Sequence, residues 1–217
     1  HWTHAAYTEE DVREFEKIDG YNHYSKGTYY SKKIEKMMNH GLTKQEAVSV
    51  LLYTNGSYEW LNRDLRTLTP EEAKRSTNTA SHAKILNAAI KKLREADPEY
   101  FARHDNKTIY RKINLRYNNL DTYLDKWRVG NVDFHHDFLS SNYSKNKWKG
   151  HNVCLVISMK KGGLTVEKNS RDSFSVNPGE NEVIIPSGIK FKCTDYQQDI
   201  KIGSYTYKHV LYLEQQI

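Results

Sequence analysis

The stretch Glu180-Asn181-Glu182-Val183-Ile184-Ile185-Pro186-Ser187-Gly188-Ile189-Lys190-Phe191-Lys192 reads as two short strands separated by a Pro-Ser-Gly turn. Strand side chains alternate, so residues two apart share a face. Glu180 and Glu182 are therefore expected on one face about 7 Å apart, with Asn181 turned away. Two carboxylates that close raise the proton affinity of one of them, which suits acid/base work or stabilisation of a cation. A solvated strand end with two exposed acids has the same local sequence, so the pair gains meaning only from its neighbours.

Working outward, the second half of the chain is punctuated like a β protein. Strands are expected over 108–113, 133–139, 153–159, 164–167, 182–185, 189–194 and 205–213, with turns at Lys161-Gly162-Gly163 and Asn177-Pro178-Gly179 and one helix near 119–126. The first half is helical in pattern. Thr8-Glu9-Glu10 precedes Val12, Phe15 and Ile18 at helical spacing, Thr43 with Glu46 forms a capping box, and Gly41 closes the helix carrying Ile34, Met37 and Met38. Ser57 is expected to cap a helix to about Leu65, Thr69-Pro70-Glu71-Glu72 opens another, and the longest helix runs from Thr79 to Ala96. Helices first and strands afterwards indicate an α+β domain spanning 1–217, helical over 1–104 and mainly β over 105–217.

The 217 residues suffice for one substantial core, and no apolar run reaches membrane-spanning length. The chain opens at His1 without a charged, apolar leader, as expected of a processed product. A net charge of +6 suits an anionic partner: a dinucleotide, a nucleic acid or an acidic protein surface. The 16 tyrosines would serve as base-stacking platforms or as ordinary strand residues. Cys154 and Cys193 allow one disulfide but imply no framework. Asn-x-Ser/Thr sites at Asn55 and Asn142 lie beside the motifs of interest, which favours a bacterial or phage origin. There is no Gly-rich phosphate loop, and His135-His136-Asp137 lacks a third ligand of suitable spacing, so no metal is expected.

Four segments occur in order: the helix Ser57-Tyr58-Glu59-Trp60-Leu61-Asn62, with Tyr58 and Asn62 on one face; Thr108-Ile109-Tyr110-Arg111; Phe138-Leu139-Ser140-Ser141; and Glu180-Asn181-Glu182. Together they resemble the mono-ADP-ribosyltransferase toxins of the arginine–serine–glutamate class, which include the actin-modifying components of clostridial binary toxins and related bacterial effectors. The resemblance covers about residues 57–194. It implies a helical layer packed on two mostly antiparallel sheets with NAD in the cleft between them. It also implies a secreted toxin or effector that acts in the cytoplasm of a target cell and moves ADP-ribose from NAD to an arginine of a protein, actin being possible by analogy only.

Carried over by resemblance, Arg111 would grip a phosphate, with Lys112 beside it where some relatives carry a second arginine. Ser140 would position Glu182, and Glu182 would hold the nicotinamide ribose and stabilise the cation formed as nicotinamide leaves. Glu180 would orient the acceptor guanidinium and take its proton. Tyr58, Asn62 and Ser141 are expected in the NAD pocket, Trp148 stacked on nicotinamide, and Phe174 exposed on a target-recognition loop over 170–179. The family's Ser-Thr-Ser is here Ser140-Ser141-Asn142. Water attacking in place of the acceptor would give slow NAD hydrolysis. The alternative is a non-catalytic basic module for nucleic acid or an acidic protein, which accounts for the charge but not for the ordered motifs.

Overall fold

A computed structural model describes residues 1–169 and 172–217. The helices are α1 (Glu9–Glu16), α2 (Tyr21–Lys26), α3 (Ser31–Asn39), α4 (Lys44–Leu52), α5 (Tyr58–Thr67), α6 (Pro70–Arg75), α7 (Thr77–Ala96), α8 (Pro98–Arg103) and α9 (Asn118–Lys126). The strands are β1 (Lys107–Ile113), β2 (Val132–His135), β3 (Leu139–Asn142), β4 (Val153–Met159), β5 (Leu164–Thr165), β6 (Glu167–Asn169), β7 (Asp172–Ser173), β8 (Glu182–Ile185), β9 (Ile189–Ile202) and β10 (Tyr205–Gln215). The α+β class expected from the sequence is the observed one.

The helical layer forms where capping and apolar spacing demand it. Complete capping boxes at Thr8/Asp11, Thr43/Glu46 and Thr69/Glu72 start α1, α4 and α6. Gly41, with φ of 96°, sits just past α3 in the left-handed region that favours glycine. The twenty residues of α7 form the spine, burying Ala83, Leu86, Ala89, Ile90 and Leu93 among α1, α4 and α5. Ser57 departs from its expected role: it makes no cap bond, and its hydroxyl lies 2.9 Å from His82 Nε2 instead. A wide π turn over Tyr53–Ser57, with Gly56 at φ 146°, joins α4 to α5 and leaves the donors that a cap would serve otherwise placed.

Strands β6 and β7 pair separately, while eight of the described strands form one ladder in the order β2-β9-β10-β4-β1-β3-β8-β5, antiparallel except for the parallel pair β4/β10. The two expected sheets are its two segments. They join where β1 meets β3 at a single Cα pair, Tyr110 with Asn142. Leu139, Val183 and Ile185 on one face of the short segment pack against Ile109, Leu155 and Leu211 of the long segment. Phe138, Leu164 and Ile184 on the opposite face enter the helical core. Three layers result: helices, short segment, long segment. Two expected strands are each broken: 133–139 divides at His136–Phe138, and 164–167 divides at Val166. Cys154 and Cys193 are free and buried, and they belong to clusters on opposite faces of the long segment. Among the described residues no helix is long and apolar enough to cross a membrane.

His82 is wholly buried, and burial pushes its imidazole down to about 4. The unfolded chain then binds the proton more tightly than the folded one, so stability is present above the ordinary histidine value and lost as pH falls below it. Acidification from pH 7 to 5 should cost about 2 kcal/mol through this residue. Urea denaturation at both pH values should show a smaller acid loss for His82→Gln than for the parent; equal losses would mean that His82 is not the titrating group.

Candidate active site

Because β1 and β3 share only one pair, the ladder splays beyond it, and the groove is bridged by a side chain. The Arg111 guanidinium donates through Nη1 to the Ser140 carbonyl at 2.9 Å. Its Nε is buried with no protein partner among the described residues. The groove opens into a cavity of about 1060 Å³ lined by α5, the β1–α9 connection, β3, the loop bearing Trp148 and the turn before β8. Arg111, Ser140, Glu180 and Glu182 all line it.

A hydrogen-bond chain leads into the cavity. The Phe138 N–H donates to Asn62 Oδ1 at 2.9 Å, which leaves Asn62 Nδ2 to donate to the Tyr53 hydroxyl at 3.1 Å. Tyr53 lies 2.7 Å from Ser140 Oγ, and either hydroxyl can be the donor there. The Ser140 hydroxyl also acts on Glu182, where it favours the ionised carboxylate. Burial and the neighbouring Glu182 charge hold the Tyr53 phenol far above its usual range, so it stays protonated.

Glu182 is 5 % exposed, and burial pushes its carboxyl up to about 7. The Ser140 hydroxyl opposes the rise, Glu180 adds to it and Arg111 opposes it. Glu180 is half-buried and also raised, first by burial and then by Glu167, against the attraction of Lys147. The two acids share the cavity for a reason different from the one expected. Strand β8 begins only at Glu182, and Asn181 between the two takes a left-handed φ of 54°. That turn is fixed by Glu167, whose carboxylate accepts the Gly179 N–H at 2.9 Å and the Asn181 N–H at 2.6 Å.

Other expected residues divide. Tyr58 and Trp148 are half-buried on the cavity wall. Asn62 lines it too, with its amide engaged in the chain above. Ser141 does not: alternation along β3 turns it away from Ser140, and its hydroxyl donates to the Leu139 carbonyl at 3.0 Å in full burial. Lys112 is 3 % exposed, and its ammonium donates to the carbonyls of Lys145 at 2.8 Å and Lys147 at 2.5 Å, with Ser144 at 3.4 Å, so its donors are taken by backbone. Phe174 is not exposed. The pairing of β7 with β6 turns it inward, where it meets His40 edge-on at 6.1 Å and lies 5.3 Å from Lys36 Nζ, 8 % exposed. Presenting it to a partner would expose an aromatic whose burial contributes about 2 kcal/mol. Ser170 and Arg171 of the same loop lie outside the described residues.

Sequence reading missed Tyr53, Glu167 and Arg66. Arg66 follows Asn62 by one helical turn, so it lines the same wall. It is held by Asp137 at 3.2 Å, which also contacts His135 at 3.0 Å. The i, i+4 spacing was a signal for Arg66; Tyr53 and Glu167 gave none, since their partners are far away in sequence.

No curated protein sequence matches the chain. Solved structures share the fold. The type III effector XopAI of Xanthomonas axonopodis pv. citri superposes with a TM-score of 0.70 at 18% identity, over 98% of this chain and 90% of that one. The ADP-ribosyltransferase HopU1 of Pseudomonas syringae pv. Tomato DC3000 gives 0.62 at 16%, over 98% and 100%. C3stau2 from S. aureus, solved with NAD, gives 0.57 at 15%, over 86% and 93%. The family model for the ADP-ribosyltransferase exoenzymes matches residues 27–214, and the chain belongs to that family.

Proposed function

We propose that this protein transfers ADP-ribose from NAD to an arginine of a target protein, releasing nicotinamide. One observation carries the reading: the half-buried guanidinium of Arg111, whose buried Nε has no partner among the described residues, lines the same cavity as Glu180 and Glu182. That cavity has the size and the donor set for a dinucleotide: Arg111 and Arg66 face the space that the pyrophosphate would fill. Tyr58 and Trp148 offer apolar faces to the rings. That C3stau2, of similar fold, is solved with NAD supports the same ligand. The similarity to XopAI and HopU1 supports a toxin or effector acting inside a target cell.

In this mechanism the bond between ribose C1 and the nicotinamide nitrogen breaks, and nicotinamide leaves with the electron pair. Positive charge develops at C1. Glu182, whose charged form the Ser140 hydroxyl favours, supplies the opposing negative charge when ionised. The acceptor guanidinium is protonated at ordinary pH and needs a base to become a nucleophile. Glu180, the less buried of the two acids lining the cavity, accepts that proton as the new C–N bond forms. Water in the acceptor's place yields free ADP-ribose.

With an etheno-adenine NAD and a host-cell lysate, the parent protein should label arginine side chains of one or a few proteins, located by mass spectrometry. Glu182→Ala should abolish labelling and NAD hydrolysis together. Glu180→Ala should reduce labelling far more than hydrolysis; equal loss of both would contradict the division of roles.

The raised carboxyl of Glu182 sets a pH dependence. Below about 7 it is protonated in the folded protein and cannot stabilise a cation. The kcat/KM for NAD hydrolysis should therefore rise up to about tenfold per pH unit below neutrality and level off above it. A profile already flat at pH 5.5 would mean that Glu182 is ionised there and that its burial does not govern the reaction.

A further inference from the structure

Lys112 lines the cavity, yet its three N–H donors face three carbonyls of the segment 144–147. We propose that Lys112 is a positioning residue: it clamps the loop over 143–150 against the sheet and so sets the Trp148 ring on the cavity wall. The inference rests on the reading of that cavity as a nucleotide site.

The loop is held from three directions. At its start, Asn142 Nδ2 donates to the Glu180 carbonyl at 2.7 Å and Asn142 Oδ1 accepts the Ser144 N–H at 2.8 Å, tying the loop to the glutamate turn. From below, Lys112 binds the carbonyls. From outside, the tip of the β9–β10 hairpin closes on it: the Ser204 N–H donates to Asn146 Oδ1 at 2.8 Å and Lys149 Nζ to Ser204 Oγ at 3.3 Å. Gly203 at that tip has φ of 64°, and a Cβ there would collide with Asn146 Oδ1 and Lys145 Cβ. These restraints converge on a residue that resists its conformation. Trp148 takes a left-handed φ of 52°, which a large side chain adopts only when its surroundings impose it. The same loop carries Lys147, whose charge acts on Glu180. The ammonium of Lys112 therefore sets two features of the cavity without touching a ligand: an aromatic face and the cation that restrains the acceptor-side carboxylate.

The test uses the full chain carrying Lys112→Met, Lys112→Arg, Gly203→Val, Trp148→Phe and the double variant Lys112→Met/Trp148→Phe. Without NAD, acrylamide quenching of the Trp148 contribution, obtained by difference from Trp148→Phe, should increase in both Lys112→Met and Gly203→Val. With NAD, Lys112→Met, Gly203→Val and Trp148→Phe should each raise KM about tenfold with kcat little changed, and the double variant should be no worse than Trp148→Phe. Lys112→Arg should recover most of the loss, since a guanidinium can also donate to the carbonyls. Multiplicative effects in the double variant, or unchanged quenching with raised KM in Lys112→Met, would overturn the proposal and make Lys112 a direct ligand. If Lys112→Met does not fold, Gly203→Val decides, since it lies outside the cavity wall: no change in quenching and KM overturns the clamp. The quenching arm needs no turnover, so absence of NAD activity in the parent would sink the assigned reaction and still leave the clamp readable.

Discussion

The site depends on an incomplete ladder. If β1 and β3 were paired along their lengths, their facing N–H and C=O groups would be used up and no groove would exist. Pairing stops at Tyr110 and Asn142. Beyond that point the Arg111 guanidinium donates to the Ser140 carbonyl, which would otherwise be an unsatisfied acceptor at the open seam. One side chain thus closes the backbone account of the splay and points charge into the space that the splay makes. Each sheet segment can then pack fully, one against the helices and one against its partner, while the gap between them stays open.

Burial gives the two glutamates different characters. Glu182, at the start of a strand whose neighbours are all buried, gains proton affinity because water cannot solvate its charge. The Ser140 hydroxyl, linked through Tyr53 to Asn62, offsets part of that rise by favouring the charged carboxylate. Glu180 sits in the turn, half-exposed, and answers mainly to Lys147 and Glu167. Two acids separated by one residue are chemically distinct because a single left-handed backbone at Asn181 removes one of them from the strand.

Much of this scaffold consists of anchors that never meet the cavity contents. Glu167 fixes the glutamate turn, Lys112 and Gly203 fix the Trp148 loop, and Asp137 fixes Arg66. Geometry of this kind is held from behind: by charge-assisted bonds to backbone from Glu167 and Lys112, by an ion pair at Asp137 and by close packing at Gly203.

The sequence by itself determined the layout. Capping boxes at Thr43 and Thr69, the apolar spacing of α7 and the alternation in β1 and β4 are local, so local rules read them. The order of Arg111, Ser140, Glu180 and Glu182 pointed to the cavity they share. Tertiary structure decided what local rules cannot encode. Alternation alone placed Glu180 and Glu182 on one strand face, but Glu167, thirteen residues before Glu180, bends the chain between them. A lysine next to Arg111 looked like a second phosphate ligand until the loop over 144–147 wrapped it, and an aromatic in a loop looked exposed until β6 and β7 folded it onto α3. Hydrogen bonds between distant segments satisfy buried groups that no neighbour in sequence can reach, and at these positions they override what local alternation and exposure suggest.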